Sequence, residues 1–125
     1  MVDKDIIVVG DFNIPALDDD LFKAITSKGL AIPDVLRGTD HGSNLAGHKR
    51  YDQILHYPRI TKSFTNVGGV LDFYRDDWRA LFPAKLYPSM NQREFTYQLS
   101  DHLPLWAQLD TWTDDEELDQ IIARR

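Results

Sequence analysis

The feature that most constrains this chain is an unbroken run of isoleucine and valine close to its start. The run, Ile6–Val9, follows Asp5 and ends at Gly10. β-Branched side chains favour extended backbone, and a continuous apolar run, rather than an alternating one, is typical of a strand with both faces buried. The sequence therefore predicts a buried strand over residues 5–10, closed by the glycine.

Patterns in the rest of the chain predict a mixture of strands and helices. The acidic triplet 18–20 supplies an N-cap and an acidic first turn, and the pair Lys28-Gly29 supplies a basic last turn and a C-cap. A helix is therefore predicted over residues 18–28. Strands are also predicted over 51–57, 60–67 and 103–111, and helices over 76–81 and 113–125. This mixture indicates the α/β class.

Composition narrows the class of protein. At 125 residues the chain is long enough for one domain with one hydrophobic core, which we assign to residues 1–125. A hydrophobic fraction of 42% and a charged fraction of 27% are typical of a soluble globular protein. The net charge of -6 offers no general attraction for nucleic acid or an anionic membrane. A phosphate-bearing substrate would therefore need a cation at its site.

Some segments and sites are excluded by composition. The absence of cysteine excludes disulfides and thiolate metal sites. Acidic residues precede the short apolar run at the start of the chain, whereas a signal peptide has a basic start and a longer apolar stretch. No segment approaches the roughly 20 apolar residues that a membrane span needs. We therefore expect a cytoplasmic protein with no membrane span.

The first group of chemistry-bearing residues directly follows the predicted strand. Asp11 and Asn13 flank Phe12 at the carboxyl end of the strand, where open α/β sheets place their ligands. With Phe12 turned into the core, a carboxylate and an amide on one side could hold a water or hydroxyl and a phosphoryl oxygen. Aspartate and asparagine are also ordinary turn residues, so this group alone leaves both interpretations open.

A second group opens the predicted strand 51–57. Asp52 shares one face of that strand with Ile54, and a buried aspartate is costly unless it is paired. Histidine would be its natural partner. Lys49 and Arg50, just before the strand, could contact phosphate, but a basic pair at a strand start is also commonly solvated.

The third group, Ser100-Asp101-His102, stands directly before the closing strand. Histidine is the side chain best suited to proton transfer near neutral pH. Asp101 could ligate a hard divalent cation directly or through water. A surface turn explains an isolated Asp-His pair equally well. The other histidines show no recognisable ligand spacing and are interpreted as loop or surface residues: His41, His48 and His56.

Aromatic residues form a further cluster in the second half of the chain. Proteins that bind nucleic acid can stack bases on such side chains. Here the spacing suits a strand and a short helix, so core packing is the favoured interpretation for Phe64, Phe73, Tyr74, Trp78 and Phe82.

Three motifs occur in a specific order: G-D-F-N after a β-branched strand, Y-D-Q-I on a middle strand and S-D-H-L-P before the last strand. Together they resemble the endonuclease/exonuclease/phosphatase superfamily, which includes deoxyribonucleases, abasic-site endonucleases, neutral sphingomyelinases and inositol polyphosphate 5-phosphatases. The resemblance implies a metal-dependent phosphoesterase that hydrolyses a phosphodiester or a phosphomonoester. It leaves the substrate open among phosphate esters, nucleic acid included.

The resemblance also implies a role for each matching residue. Asp11 would position or deprotonate the attacking water, and Asn13 would hold a non-bridging phosphate oxygen. Asp52 would orient His102, which would contact the scissile phosphate as acid, base or transition-state stabiliser. Asp11 and Asp101 would hold Mg²⁺ or Mn²⁺, and the ion would neutralise developing charge.

The resemblance covers almost all of this chain but only the C-terminal half of the superfamily fold. Members begin with an Asn-bearing strand and a metal-binding Glu, whereas here G-D-F-N arrives at residue 10. The full fold is a four-layer α/β/β/α sandwich, so half of it is implied: one mixed or antiparallel sheet with helices on one face. We expect a C-terminal fragment, weak or inactive alone, whose bare sheet face pairs with a missing N-terminal half or with a second copy.

Two other interpretations stay open. The chain is alternatively a non-catalytic binding or interaction module that retains the half-site. The third interpretation is a soluble α/β domain in which the G-D-F-N and D-H turns are accidental. That one requires order, strand context and spacing to coincide by chance.

Overall fold

The computed structural model describes residues 5–38, 40–75, 78–81, 85, 88–111 and 114–124. Within these ranges the strands are β1 (Ile7–Asp11), β2 (Asp52–His56), β3 (Phe64–Val70) and β4 (Leu105–Leu109). The α-helices are α1 (Asp20–Thr26), α2 (Gln92–Gln98) and α3 (Asp114–Ala123), and Asp34–Leu36 and Trp78–Leu81 are short 3-10 helices. The predicted α/β class is confirmed. None of the helices in these ranges is long and apolar enough to cross a membrane.

The described strands form two separate antiparallel pairs. β1 runs against β2, with Asp11 opposite Asp52. β3 runs against β4, and the pairing is irregular between Phe64 and Gly68. The prediction of one sheet is therefore wrong, because the described strands make two two-stranded sheets.

The far edge of β2 helps to explain the two sheets. Ala31 and His56 exchange backbone hydrogen bonds of 2.8 and 2.9 Å. A strand can add a neighbour only through backbone groups that no other segment uses. Ala31 therefore uses the backbone N–H and C=O of His56 at the end of β2. β4 lies near β2 but does not pair with it.

A hydrophobic core cluster packs against the β1–β2 pair. Its buried residues include Leu36 and Leu55, and Val8 packs against them from β1. From α1, Phe22 and Ile25 pack against the same cluster. The core therefore holds α1 against the face of the sheet that carries Val8 and Leu55.

β1 is far less buried than its composition predicts. Val8 packs partly against the core, but Val9 is 66% exposed and Ile7 is 39% exposed. Successive side chains of a strand point to opposite faces, so Ile7 and Val9 lie on the face opposite Val8, and on β1 that face is largely exposed. The prediction of a strand buried on both faces is wrong. The β-branched residues still favour the extended backbone that is observed.

α1 is shorter than the predicted helix over residues 18–28. Asp19 is the N-cap, and its carboxylate accepts the Leu21 N–H at 2.8 Å. The helix ends at Thr26, and residues 27–29 continue as a turn and a bend. The acidic start and the glycine end therefore bracket the helix, which occupies only the middle of the predicted range.

α2 has no counterpart among the predicted elements. It begins with a capping box, in which the Asn91 side chain accepts the Glu94 N–H at 3.0 Å and the Glu94 carboxylate accepts the Asn91 N–H at 2.9 Å. Phe95 of this helix is fully buried, and its ring lies 5.9 Å from Phe73 and 5.3 Å from Trp78 between centroids. Phe73 and Trp78 are partly buried and pack on Phe95, in agreement with the core packing favoured for these two residues. Phe82 lies outside the described residues.

The remaining predicted elements are present with shifted ends. β2 and β4 lie inside their predicted strands, and α3 lies inside the predicted tail helix. β3 begins later than predicted, because the N–H groups of Ile60 and Thr61 both donate to the Tyr57 carbonyl at 2.9 Å and form a turn. The helix predicted over 76–81 is a 3-10 helix over its described part, Trp78–Leu81.

Candidate functional site

The register of β1 and β2 brings two carboxylates together. β1 ends at Asp11, β2 begins at Asp52, and antiparallel pairing places these residues directly opposite each other. The Cβ atoms of opposed residues lie roughly 4.5–5.5 Å apart on the same face of a sheet. Two like charges at such a distance repel unless a proton or a cation offsets them. This end of the β1–β2 pair is therefore suited to a positively charged group.

His102 supplies such a group from the segment before β4. Its Nδ1 lies 2.7 Å from Oδ2 of Asp52, and because an ionised carboxylate only accepts, Nδ1 carries the proton. The two side chains are partly exposed, 29% for His102 and 24% for Asp52. The Tyr51 ring stacks on the imidazole, with centroids 5.8 Å apart and planes at 29°. The imidazole is thus held at one edge and on one face, and Nε2 is the nitrogen left for chemistry.

The three side chains form a group with metal-ligand spacing. Asp11, Asp52 and His102 each offer one ligand atom, and these atoms lie within 4.8 Å of one another. Such a group could hold a metal ion. The sequence predicted Asp11 and Asp101 as the ligands, but among the described residues Asp101 does not belong to this group and is exposed.

The electrostatic surroundings favour a protonated His102. Burial of the imidazole lowers its pKa, but the hydrogen bond to Asp52 and the negative charges of Asp52, Asp11 and Asp101 raise it by more. The resulting pKa of His102 lies above its ordinary value of 6.5. An imidazolium at this position can donate a proton or a hydrogen bond to an anionic ligand.

Asn13 lies on a tight turn that also orients Asp11. Its backbone adopts a left-handed conformation with φ of 54°, which asparagine tolerates better than most residues. The Asn13 N–H donates to Oδ1 of Asp11 at 2.9 Å, which is an Asx turn. The Asn13 backbone therefore contacts the Asp11 carboxylate, and the Asn13 residue is exposed.

The two predicted basic contacts are placed differently. Arg50 is 8% exposed, and its guanidinium donates to the backbone carbonyls of Leu36 and Gly38. These contacts give Arg50 a structural role, and its burial lowers its pKa. Lys49 is partly buried at the end of the loop that leads to β2, where its carbonyl accepts the Ser43 N–H at 2.7 Å.

Among the described residues, sequence reasoning missed three that contact the site: Ser43, Asn44 and Tyr51. Ser43 is fully buried, and its Oγ accepts the Asp52 N–H at 3.0 Å. Asn44 forms an isolated antiparallel bridge with His102. Gly42, Ser43 and Asn44 indicate a turn in the sequence, but no local signal shows which distant segments the turn contacts.

The other histidines divide into a buried and a loop group. His56 is 7% exposed, and its Nδ1 donates to the Thr61 carbonyl at 2.9 Å, so the prediction of a loop or surface residue is wrong for it. His56 is the last residue of β2, and its side chain lies inside the protein, where the Thr61 carbonyl accepts its hydrogen bond. His41 and His48 lie in the loop before β2, and His48 is exposed.

An open, mainly apolar cavity of about 930 Å³ adjoins the site. Asp52 and His102 line one part of it. Apolar side chains from distant segments line most of the rest, among them Val9, Leu71 and Leu99, which are themselves largely exposed. The site therefore combines a polar group of ligands with an apolar surface beside it.

No family model, no curated protein and no solved structure matches this chain. The resemblance to the endonuclease/exonuclease/phosphatase superfamily therefore stays a prediction that rests on three sequence motifs. What the site can do follows from the chemistry of its own side chains.

Proposed function

We propose that this chain carries the half-site of a metal-dependent phosphoesterase of the endonuclease/exonuclease/phosphatase superfamily and is only weakly active by itself. The observation that carries the proposal is the group of ligand atoms from Asp11, Asp52 and His102, all within 4.8 Å of one another. Two carboxylates and an oriented, positively biased imidazole at strand ends suit the hydrolysis of an anionic ester.

The two carboxylates suit a hard divalent cation such as Mg²⁺ or Mn²⁺, which prefers oxygen ligands. Asp11 and Asp52 would hold it, with Asp101 near enough in sequence to His102 to assist through water. The ion would supply charge neutralisation at the phosphate beyond that of His102, whereas the net charge of -6 supplies no general attraction.

The remaining steps fall to the side chains themselves. His102 would contact the scissile phosphate through Nε2, while Asp52 holds its Nδ1–H and so fixes the ring orientation. Asp11 would accept a proton from the attacking water or position it. The Asn13 amide would donate to a non-bridging phosphate oxygen.

The second candidate function is a non-catalytic binding module that retains the same half-site. The observation that favours it is the apolar cavity beside Asp52 and His102. A partly exposed apolar surface next to an anion-binding group could hold a phosphorylated partner without any turnover.

An Mn²⁺ titration followed by electron paramagnetic resonance tests whether the group of ligand atoms binds a metal ion. Asp11→Asn removes one negative ligand without changing size, and we expect Mn²⁺ affinity to fall by about tenfold or more. Asp18→Asn is the matched control, because Asp18 is exposed and lies before α1. Equal Mn²⁺ affinity in both variants and the unmodified chain would contradict the metal site.

Hydrolysis separates the two candidate functions. Mn²⁺-dependent release of p-nitrophenol from bis(p-nitrophenyl) phosphate, lost in Asp11→Asn but kept in Asp18→Asn, supports the phosphoesterase. Binding of Mn²⁺ and inorganic phosphate with no turnover of this ester or of p-nitrophenyl phosphate supports the binding module.

A further inference from the structure

A short loop, residues 42–49, lies between the two segments that supply Asp52 and His102. The Ser43 carbonyl accepts the Leu103 N–H at 2.6 Å, and Asn44 bridges to His102. On its other side, the Ser43 hydroxyl accepts the Asp52 N–H at 3.0 Å. This one serine therefore touches both segments of a pair whose members are 50 residues apart in sequence.

The Ser43 hydroxyl lies where only a polar side chain can accept the Asp52 N–H. Ser43 is 0% exposed. The Asp52 N–H that it accepts belongs to the residue whose carboxylate holds His102. A partly buried N–H that loses its acceptor costs free energy unless the backbone shifts to reach another acceptor or water. Any such movement turns the Asp52 carboxylate relative to the imidazole.

The loop itself has little freedom to compensate. A Cβ on Gly42 would lie 2.2 Å from the carbonyl carbon of Gly47, so the chain passes closely here. Gly47 has φ of +72°, a left-handed conformation that favours glycine. The Asn44 side chain accepts the N–H groups of His48 and Lys49 at 2.9 and 2.7 Å. These contacts hold Ser43 in one position.

We propose that Ser43 is a positioning residue, which holds Asp52 so that its carboxylate keeps His102 oriented toward the phosphate. The importance of that orientation for hydrolysis rests on the proposed function. The positioning itself is a property of the chain and can be tested without any turnover.

The imidazole Nδ1–H of His102 gives a direct signal of the pair. In ¹⁵N-labelled protein, long-range ¹H–¹⁵N spectra identify this proton, and His102→Gln assigns it. Ser43→Ala removes the acceptor of the Asp52 N–H, and we expect the His102 Nδ1–H to exchange with water about tenfold faster, as loss of one partly buried hydrogen bond predicts. Ser43→Thr restores a hydroxyl and should restore slow exchange.

Thr61→Val is the control for general loss of stability. Thr61 is 4% exposed, and its hydroxyl donates to Asp5 at 2.8 Å, away from His102. We expect this variant to be destabilised while the His102 Nδ1–H exchanges as in the unmodified chain. Equal acceleration in Thr61→Val and Ser43→Ala would overturn the proposal, because the effect would then report stability alone.

Asn44→Ala covers the case in which Ser43→Ala does not fold. It removes the side chain that caps the loop at a partly exposed position, and we expect a smaller acceleration in the same direction. An unchanged Nδ1–H in Asn44→Ala, or in a folded Ser43→Ala, would overturn the positioning role. A changed Nδ1–H in a chain that hydrolyses no phosphate ester would support Ser43 and reject only the phosphoesterase.

Discussion

β2 has a histidine hydrogen bond at each of its ends, and the two ends differ in what accepts it. At the first residue, the carboxylate of Asp52 accepts from Nδ1 of His102 at 2.7 Å, and both side chains are partly exposed. At the last residue, Nδ1 of His56 donates to the backbone carbonyl of Thr61 at 2.9 Å, and His56 is buried. Both imidazoles are oriented, but in different surroundings.

The acceptor and the exposure together decide what each imidazole can do. A carboxylate stabilises an imidazolium charge, whereas a backbone carbonyl orients the ring without adding a net charge. The His56 ring also contacts Phe64, with centroids 4.6 Å apart, which closes it off further. The His102 end is therefore suited to proton transfer and ligand binding, and the His56 end to holding the fold.

The largest expected effect is the loss of turnover when His102 is replaced. His102→Ala removes the proposed phosphate contact, and loss of such a group typically lowers rates by about 10²–10⁴-fold. Because the pair is partly exposed, the free energy of unfolding should fall by less than about 1 kcal/mol. Mn²⁺-dependent hydrolysis of bis(p-nitrophenyl) phosphate and urea unfolding measure the two quantities. Slow turnover is sufficient, because the prediction concerns the ratio of the hydrolysis rates of the unmodified chain and His102→Ala. A ratio near one would show that His102 takes no part in hydrolysis.

The converse effect is expected at the other end of β2. His56→Ala removes a buried hydrogen bond and the ring contact with Phe64, and should lower the free energy of unfolding by about 2–4 kcal/mol. Mn²⁺ affinity should stay unchanged wherever the variant is folded. His48→Ala, at an exposed loop position, should cost less than about 0.5 kcal/mol. If urea unfolding shows similar losses in the free energy of unfolding for His56→Ala and His48→Ala, His56 does not stabilise the fold.

The smallest expected effect is on the pH dependence of stability. Because the folded-state pKa of His102 is raised, its pair with Asp52 stabilises the fold fully below the unfolded pKa of about 6.5, and this contribution is lost as pH rises through the folded pKa. Asp52→Asn should lower the pKa of His102 and remove that contribution. The difference in unfolding free energy between the two proteins should therefore shrink with rising pH.

Asp110→Asn is the control for this measurement, because Asp110 is exposed after β4. It should leave both the His102 pKa, measured by NMR titration, and the pH profile unchanged. A difference between Asp52→Asn and the unmodified chain that grows with pH would have the wrong sign for this pair.

Local patterns predicted the strands and the places of the chief site residues. Asp11 was expected directly after a β-branched run, Asp52 near the start of a strand and His102 before the closing strand, and each lies at such a place. These features depend on only a few neighbouring residues. Backbone preferences act over that range, so sequence alone indicates them.

Features that depend on distant segments were not predictable in the same way. Val9 looked buried by type, but its exposure depends on what covers that face of β1. Arg50 and His56 are polar types usually found outside, and both are buried because carbonyls from other segments satisfy them. α2 is the exception, since the spacing of Asn91 and Glu94 was a local signal for its start.

The sequence by itself determined that an acidic residue would end the first strand and that a second acidic residue and a histidine would flank later strands. Only the tertiary structure decided that they meet, because the β1–β2 register opposes Asp11 to Asp52 and the loop at Ser43 carries His102 to Asp52. A chain's local preferences set where strands begin and end. Register and loop contacts are set by hydrogen bonds between segments that are distant in sequence, and local backbone preferences carry no information about them.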